Sequence, residues 1–327
     1  MVGVRAGDND QVIALAEALG LPFELKQLEY NALCHLGPRL LGRSMASLTR
    51  SSRRAIMAAE MPDLTITAGH RSVSIVQALR SRSNGRVRSV HVGFPRISPA
   101  KFDLVIATPQ YPIEDRPNLL RIPYALTRAA TAAPDAGDEV LLESLPQPHR
   151  LLIVGGPTLF WRLDEGALLS TLDKLLDEAA RDGGSVLVTT SPRTPGSVKD
   201  KIAQRLAGTD IPTVLAAPGQ RPGYSSLLAT ADSIRVTADS VSMVSDAIWT
   251  GKPVALVPIT KSPAGRLYFG IMDRLRPGRP VYPQDLRFFW KTLAEIGVGE
   301  KLCTAETSTD EGMRKLLQRV EPVLIRM

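Results

Sequence analysis

Val236-Thr237-Ala238-Asp239-Ser240-Val241-Ser242-Met243-Val244-Ser245-Asp246-Ala247-Ile248-Trp249-Thr250-Gly251-Lys252-Pro253-Val254-Ala255-Leu256-Val257-Pro258 reads as strand, helix, strand. Its ends, Ile234 to Val236 and Val254 to Val257, are short apolar runs of the kind buried parallel strands show. Asp239 or Ser240 can cap the helix, because a short side-chain oxygen there accepts from an otherwise unpaired first-turn N–H. Gly251 ends it. Val244, Ala247 and Ile248 form the stripe that buries against a sheet; Ser242, Ser245 and Asp246 are expected elsewhere on the helix, toward the crevice at the strand ends.

A helix that starts after a parallel strand offers free N–H groups and a positive dipole end, which suit a diphosphate. Ser242 and Met243 stand at that start, and Asp246, one turn further in, is placed to accept from a ribose diol. The bland alternative is that any strand-helix-strand unit has such a helix, with the Asp on a solvated surface.

Upstream of this stretch the same alternation repeats. Leu151 to Val154 is a strand with the turn Gly155-Gly156-Pro157; a helix from Asp164 to Arg181, strand Val186 to Thr189, helix Val198 to Leu206 and strand Thr213 to Ala216 follow. Further upstream, Leu64 to Ala68 runs into Gly69-His70-Arg71 and a helix from Ser72 to Arg80, which puts His70 at the carboxyl end of a strand, where open α/β sheets bind ligands. Val90 to Val92 and Leu104 to Ile106 add strands. Met1 to Val4 is a stub of a first strand, either clipped or continued upstream, followed by the polar loop Arg5 to Asp10 and a helix from Gln11 to Leu19. Phe23 to Leu28 alternates as a strand.

Pro38 opens what reads as one long helix from Arg39 to Glu60. Its Arg39, Arg43, Arg50, Arg53 and Arg54 fall on one side, opposite Leu41, Met45, Leu48, Ala55 and Ile56. Between Asn31 and Lys101 there are 12 Arg or Lys against two acids, Glu60 and Asp63, within a chain whose net charge is +7. Such an imbalance suits an anionic partner, a lipid surface or a phosphorylated acceptor, unless the arginines are merely solvated. The basic run lacks interleaved aromatics, so nucleic acid is not expected.

At 327 residues the chain is long enough for two domains. The expected division is 1–130 for the first α/β domain, 131–149 for a linker rich in Ala, Thr, Pro, Asp and Gly, 150–300 for the second, and 301–327 for a final helix returning to the first. After Pro258 the chain reads as irregular to Pro283, then helical over Leu286 to Ile296 and Glu311 to Val320. Hydrophobic content of 44% and the lack of a long apolar run point to a cytoplasmic protein. Cys34 and Cys303 stand alone, which argues against a disulfide framework and a zinc site. The absence of G-x-G-x-x-G after any strand lowers an NAD-dependent dehydrogenase, and the absence of G-x-x-x-x-G-K-[ST] lowers a P-loop NTPase.

Ser245-Asp246-Ala247 with Gly251-Lys252-Pro253-Val254 resembles the donor-site helix of GT-B glycosyltransferases. Four segments, Arg5-Ala6-Gly7-Asp8-Asn9-Asp10-Gln11, Val154-Gly155-Gly156-Pro157, Val188-Thr189-Thr190-Ser191-Pro192-Arg193-Thr194 and Val236 to Met243, resemble the bacterial branch of the family of the plant "elongated mitochondria" fission factor. The resemblance implies a GT-B-like α/β fold, two Rossmann-like doubly wound parallel-sheet domains facing a cleft. It implies a nucleotide sugar as donor, UDP-linked, with no separate cofactor; no metal is expected, and the donor-site pattern together with the basic helix suggests a peripheral place at the inner membrane face.

In that frame Gly155, Gly156, Thr190, Ser191, Arg193, Ser242, Met243 and Asp246 are expected to hold the nucleotide and its diphosphate. Asp8, then His70, are the candidates for the base that takes the acceptor's proton. Cell-wall relatives carry a glycine-rich loop with histidine where this chain has Ala6-Gly7-Asp8-Asn9, so their catalytic residue does not carry over. Three functions stay open: a GT-B glycosyltransferase, a nucleotide-sugar epimerase, and a scaffold that keeps the fold without turnover.

Overall fold

The structure, a computed structural model, describes residues 1–3, 6–130, 132–304 and 309–325. The chain forms two compact units, Met1–Leu126 with Asp310–Met327, and Thr127–Thr309.

The first unit begins with α1 (Ala6–Ala18), α2 (Pro38–Leu41) and α3 (Arg50–Ala58), followed by β1 (Leu64–Ala68), α4 (Val73–Arg82), β2 (Arg88–Val92), β3 (Leu104–Ala107) and β4 (Leu119–Arg121). The strands make one parallel sheet in the order β1-β2-β3-β4. Residues 1–3 lie beside β1, the Met1 nitrogen donating to the Ile66 carbonyl at 2.8 Å.

Three expectations change here. The polar loop from Arg5 to Asp10 is helical from Ala6, with Asp8 in the first turn, where its charge suits the helix dipole. Phe23 to Leu28 contributes only a single bridge, Gln27 to Val2. The long helix from Arg39 to Glu60 is broken: Gly42, at φ 58 and ψ −126, stops α2, and Thr49 starts α3 afresh by accepting from the Ser52 N–H. Arg39 and Arg43 therefore do not share a helix with Arg50, Arg53 and Arg54. Met45, Leu48 and Ile56 still pack on Ile75 and Leu79 of α4, leaving all five arginines exposed. None of the five is in an ion pair among the described residues.

His91 sits on β2, fully buried, with Nδ1 3.2 Å from the Thr67 hydroxyl and its ring against Phe102. Burial, with His70 nearby, lowers its pKa from 6.5 to about 3. The unfolded chain takes up that proton at the higher pH, so the stability His91 confers is complete above pH 6.5 and drains as pH falls toward 3, by about 1.4 kcal/mol per pH unit. Thermal unfolding followed across that window should show a slope that His91→Gln flattens; equal slopes for the two proteins would show that His91 is not the group responsible.

The second unit opens with α5 (Ala136–Glu143) and β5 (His149–Val154), then β6 (Trp161–Leu163), α6 (Glu165–Asp182), β7 (Ser185–Thr190), α7 (Gly196–Ala207), β8 (Thr213–Ala216) and α8 (Tyr224–Thr230). It continues with β9 (Ser233–Thr237), α9 (Val241–Trp249), β10 (Val254–Val257), β11 (Ile259–Lys261), α10 (Pro263–Leu275) and α11 (Leu286–Glu295); the last helix, α12 (Thr309–Ile325), is grouped from Asp310 on with the first unit. The order β10-β9-β5-β7-β8 is parallel throughout, while β6 and β11 form a small antiparallel pair.

Local code and packing agree in this unit. Asp164 caps α6 by accepting from the Ala167 N–H, and Gly183 ends it at φ 77. Between these stops Leu168, Leu172, Leu175 and Ala179 recur at helical spacing and pack with α7 onto Leu152, Val154, Val186 and Val188. Each such leucine or valine contributes about 1.5–3 kcal/mol relative to exposure. All six residues of β5 are buried, as a central strand covered on both faces requires.

Two further expectations change. The stretch 131–149, read as a linker, carries α5, whose Asp138 accepts from the Gly223 N–H at 2.7 Å and the Ser226 hydroxyl at 2.9 Å. The stretch after Pro258, read as irregular to Pro283, contains β11 and α10; Ser262 caps α10 and Pro263 occupies its first turn.

Candidate functional site

The chain starts the second sheet in its middle. From β5 it moves outward through β7 to β8, then returns to the other side of β5 for β9 and β10. The loops after β5 and β9 thus depart in opposite senses. Open α/β sheets bind ligands at such a switch point, beyond the carboxyl ends of the strands. Here the switch point is formed by Gly155-Gly156 and Ala238-Asp239.

One carboxylate ties this edge together. Asp239, with its side chain 1% exposed, accepts from the Gly156 N–H at 3.0 Å, from the Thr237 hydroxyl at 2.6 Å and from Arg193 Nη2 at 2.8 Å. Thr237 Oγ1 in turn accepts from the Gly155 N–H at 2.7 Å. Arg193 Nη1 donates to the Gly156 carbonyl at 2.7 Å, and the Arg193 side chain is 41% exposed. Trp290 of α11 donates to the Ala238 carbonyl at 2.9 Å and holds the loop from outside.

The glycines serve this closure. A Cβ on Gly155 would stand 2.2 Å from Asp239 Oδ1, and one on Gly156 would stand 2.2 Å from the Arg193 carbonyl oxygen. The turn after β7 is fixed from within: Thr194 Oγ1 donates to the Gly155 carbonyl at 2.6 Å and accepts from the Ser191 N–H at 2.9 Å. Thr190 and Ser191 are buried, and Ser191 Oγ accepts from the Arg193 N–H at 3.2 Å.

At the head of α9 the cap is Ser240, which accepts weakly from the Met243 N–H at 3.4 Å. Asp239, the other expected cap, is the tether instead. Val241, Ser242 and Met243 are partly exposed, and the first-turn amides of Val241 and Ser242 are free of intrahelical partners by position. The edge therefore presents a helix start beside the partly exposed Arg193 side chain, an arrangement that attracts anions.

Asp246 differs from its expected place. It is 8% exposed, inside the packing of α9, and accepts from the Tyr224 hydroxyl of α8 at 2.9 Å. Ser245 is fully buried and donates to the Val241 carbonyl. Asp246 is thus bonded to the first residue of α8, and Ser245 to the backbone of its own helix.

The candidate bases lie in the first unit. Asp8 Oδ2 comes against Gly69, where a Cβ would be 2.9 Å away, and His70 follows directly. Asp8 thus stands against the residue that precedes His70, just beyond the carboxyl end of β1. Among the described residues, no group of three His, Cys, Asp or Glu side chains is arranged to hold a metal ion. No helix among them is long and apolar enough to cross a membrane.

Sequence reasoning had treated Asp239 only as a helix cap and had not singled out Thr194 or Tyr224. The Thr-Ser-Pro-Arg-Thr run carries a signal for Thr194, since a hydroxyl there closes a turn; Tyr224 is contributed by a remote helix and leaves no local signal.

Residues 6–272 match the family described as Mitochondrial fission ELM1. The chain belongs to this family. The Mitochondrial fission protein ELM1 of Arabidopsis thaliana is 32% identical to it over 226 residues, which cover 60% of this chain and 51% of the plant protein. The chain thus spans about half the length of the curated relative it matches.

Among solved structures, a putative UDP-N-acetylglucosamine 2-epimerase from Listeria monocytogenes aligns over 95% of this chain and 86% of its own, with TM-score 0.50 and 12% identity. The UDP-GlcNAc 2-epimerase of Methanocaldococcus jannaschii aligns over 98% of each chain, with TM-score 0.50 and 11% identity. At such identity the likeness speaks for the fold alone. This ELM1-family chain is an α/β protein of GT-B-like architecture with two Rossmann-like parallel-sheet units.

Proposed function

We propose that this ELM1-family chain binds a nucleotide-diphosphate sugar, UDP-linked, at the carboxyl edge of its second sheet, and that it acts as a GT-B-type glycosyltransferase. The observation that carries this reading is the switch point between β5 and β9, where the partly exposed Arg193 is bonded to Asp239, next to the Ser240 cap of α9. In transfer, an acceptor hydroxyl attacks the anomeric carbon and the bond from that carbon to the diphosphate oxygen breaks. The helix start and Arg193 hold the charge that gathers on the diphosphate. The hydroxyl proton passes to Asp8 or His70. Asp246 receives the ribose diol in exchange for, or beside, the Tyr224 hydroxyl. The exposed Arg39, Arg43, Arg50, Arg53 and Arg54 meet an anionic lipid surface.

A second reading, a scaffold without turnover, draws support from Asp239, whose carboxylate already takes the Gly156 N–H and one arm of Arg193. An epimerase would need an acid and a base beside the sugar; Asp239, the carboxylate at the switch point, is instead bonded internally.

Thermal unfolding of the intact chain with and without UDP and UDP-sugars separates these readings. A ligand at a hundred times its dissociation constant adds about 2.7 kcal/mol of apparent stability. Asp246→Asn should weaken that ligand at least about tenfold, the loss of one charge-assisted hydrogen bond. Tyr224→Phe should cost about 1 kcal/mol of stability yet keep binding. Calorimetry showing the same affinity in Asp246→Asn would remove the ribose role, and no response to any nucleotide would leave the scaffold.

A further inference from the structure

Helix α10 is built to keep one face on its own unit. Ser262 Oγ donates to the Leu159 carbonyl at 2.8 Å and accepts from the Gly265 N–H at 2.9 Å. Gly265 lies so close to Phe160 that a Cβ would stand 2.2 Å from its carbonyl oxygen. Phe269, fully buried, packs with Phe160, Trp161 and Tyr268 beneath the Arg287 guanidinium, 4.4 Å from its ring centre.

Two positions beyond Gly265 and Phe269, about 200° round the helix, come Leu267 and Ile271, and Leu275 follows one turn later. They are 68%, 49% and 70% exposed. Spaced at i, i+4 and i+8, they form an apolar ridge about 12 Å long. Leu159, at the start of the helix, is 73% exposed. An exposed row of this size on a helix needs an apolar phase to cover it.

The charges beside the ridge decide which phase. Arg266, Arg274, Arg276 and Arg279 are exposed, and none is in an ion pair among the described residues. The acid on this helix, Asp273, is held by both arms of Arg287 at 2.8 and 2.9 Å. The surface is thus apolar and cationic, with its acid neutralised. A second copy docked on the same face would set arginines against arginines, which is unfavourable.

We propose that α10 is an interfacial helix, laying Leu267, Ile271 and Leu275 into the headgroup boundary of an anionic bilayer while Arg266, Arg274, Arg276 and Arg279 engage lipid phosphates. This site stands apart from the nucleotide-sugar reading and from the five arginines of the first unit.

Flotation of the full chain with vesicles tests it. The wild type should float with vesicles of phosphatidylcholine and phosphatidylglycerol and stay behind with phosphatidylcholine alone. Leu267→Ser with Ile271→Ser and Leu275→Ser should lose flotation, and Arg274→Glu with Arg276→Glu should bind at least about fivefold more weakly per arginine replaced. All five positions are exposed, so both variants should keep the wild-type melting temperature, read in the same samples. Failure of the wild type to float overturns the proposal, and so does undiminished flotation of the serine variant. A serine variant that floats while Arg43→Glu with Arg50→Glu and Arg54→Glu does not would move the lipid contact to the first unit. A wild-type dimer in sedimentation velocity that the serine variant alone dissolves would make the ridge a self-interface and overturn it as well.

Discussion

Gly156→Ala should cost the second unit about 3 kcal/mol or more of stability and remove nucleotide-sugar binding with it. The added carbon would stand 2.2 Å from the Arg193 carbonyl oxygen and 2.4 Å from its carbonyl carbon. These are backbone atoms, so no flexible side-chain end can swing away. The turn that carries them is itself pinned, Thr194 Oγ1 reaching the Val154 carbonyl at 3.0 Å and the Gly155 carbonyl at 2.6 Å. Relief requires the strand-end loops to part, which pulls Asp239 from the Gly156 N–H. For a unit of this size a loss of 1 kcal/mol lowers the melting temperature by roughly 2–4 °C. Gly196→Ala, at the open start of α7 with nothing near its Cβ direction, should change little. Similar melting temperatures for the two variants would mean that the turn after β5 yields more readily than its contacts imply.

Removing the carboxylate itself is the second large effect. Asp239→Ala leaves the buried Gly156 N–H and Thr237 hydroxyl without their acceptor and breaks the pair with Arg193. Stranded buried partners of a charged group cost about 3 kcal/mol in sum. Arg193→Ala should cost about 1 kcal/mol or less, because its side chain is 41% exposed and water takes over its role. Asp239→Asn should fall between, keeping one acceptor oxygen but losing the charge. Denaturant midpoints for the single and double variants give the coupling, expected at about 1 kcal/mol. Equal costs for Asp239→Ala and Arg193→Ala would show that the pair is a surface ion pair and not the tie at the switch point.

What could be read from the residues divides along physical lines. Leu64 to Ala68 and Thr213 to Ala216 match β1 and β8 residue for residue, because short β-branched and apolar runs bounded by polar turns have one good use in an α/β chain. Asp164 and Gly183 bracket α6 through local chemistry that needs no tertiary partner. Arginine periodicity misled where α2 and α3 divide: the spacing of Arg39, Arg43, Arg50 and Arg53 fits one helix, yet Gly42 takes a positive φ and Thr49 caps anew. The start of α10 was legible in Ser262-Pro263, a cap followed by proline, but the Arg, Gly and Pro content around it outweighed that signal. At the candidate site the elements were legible and the contacts were not. Asp239 and Ser240 are equal as caps in one dimension; only the approach of β5 and β7 turns Asp239 inward. Asp246 is buried and bonded to Tyr224, 22 positions earlier, a pairing no local pattern encodes.

Helix α5 bears on how this protein comes apart under a protease or a cloning scissor. Its Asp138 supplies the acceptor for Gly223 and Ser226, and Leu142 is wholly enclosed. A fragment cut at Arg150 discards that acceptor and bares α8, whereas one cut at Thr127 carries both along. The excisable module therefore begins some twenty residues ahead of its central strand.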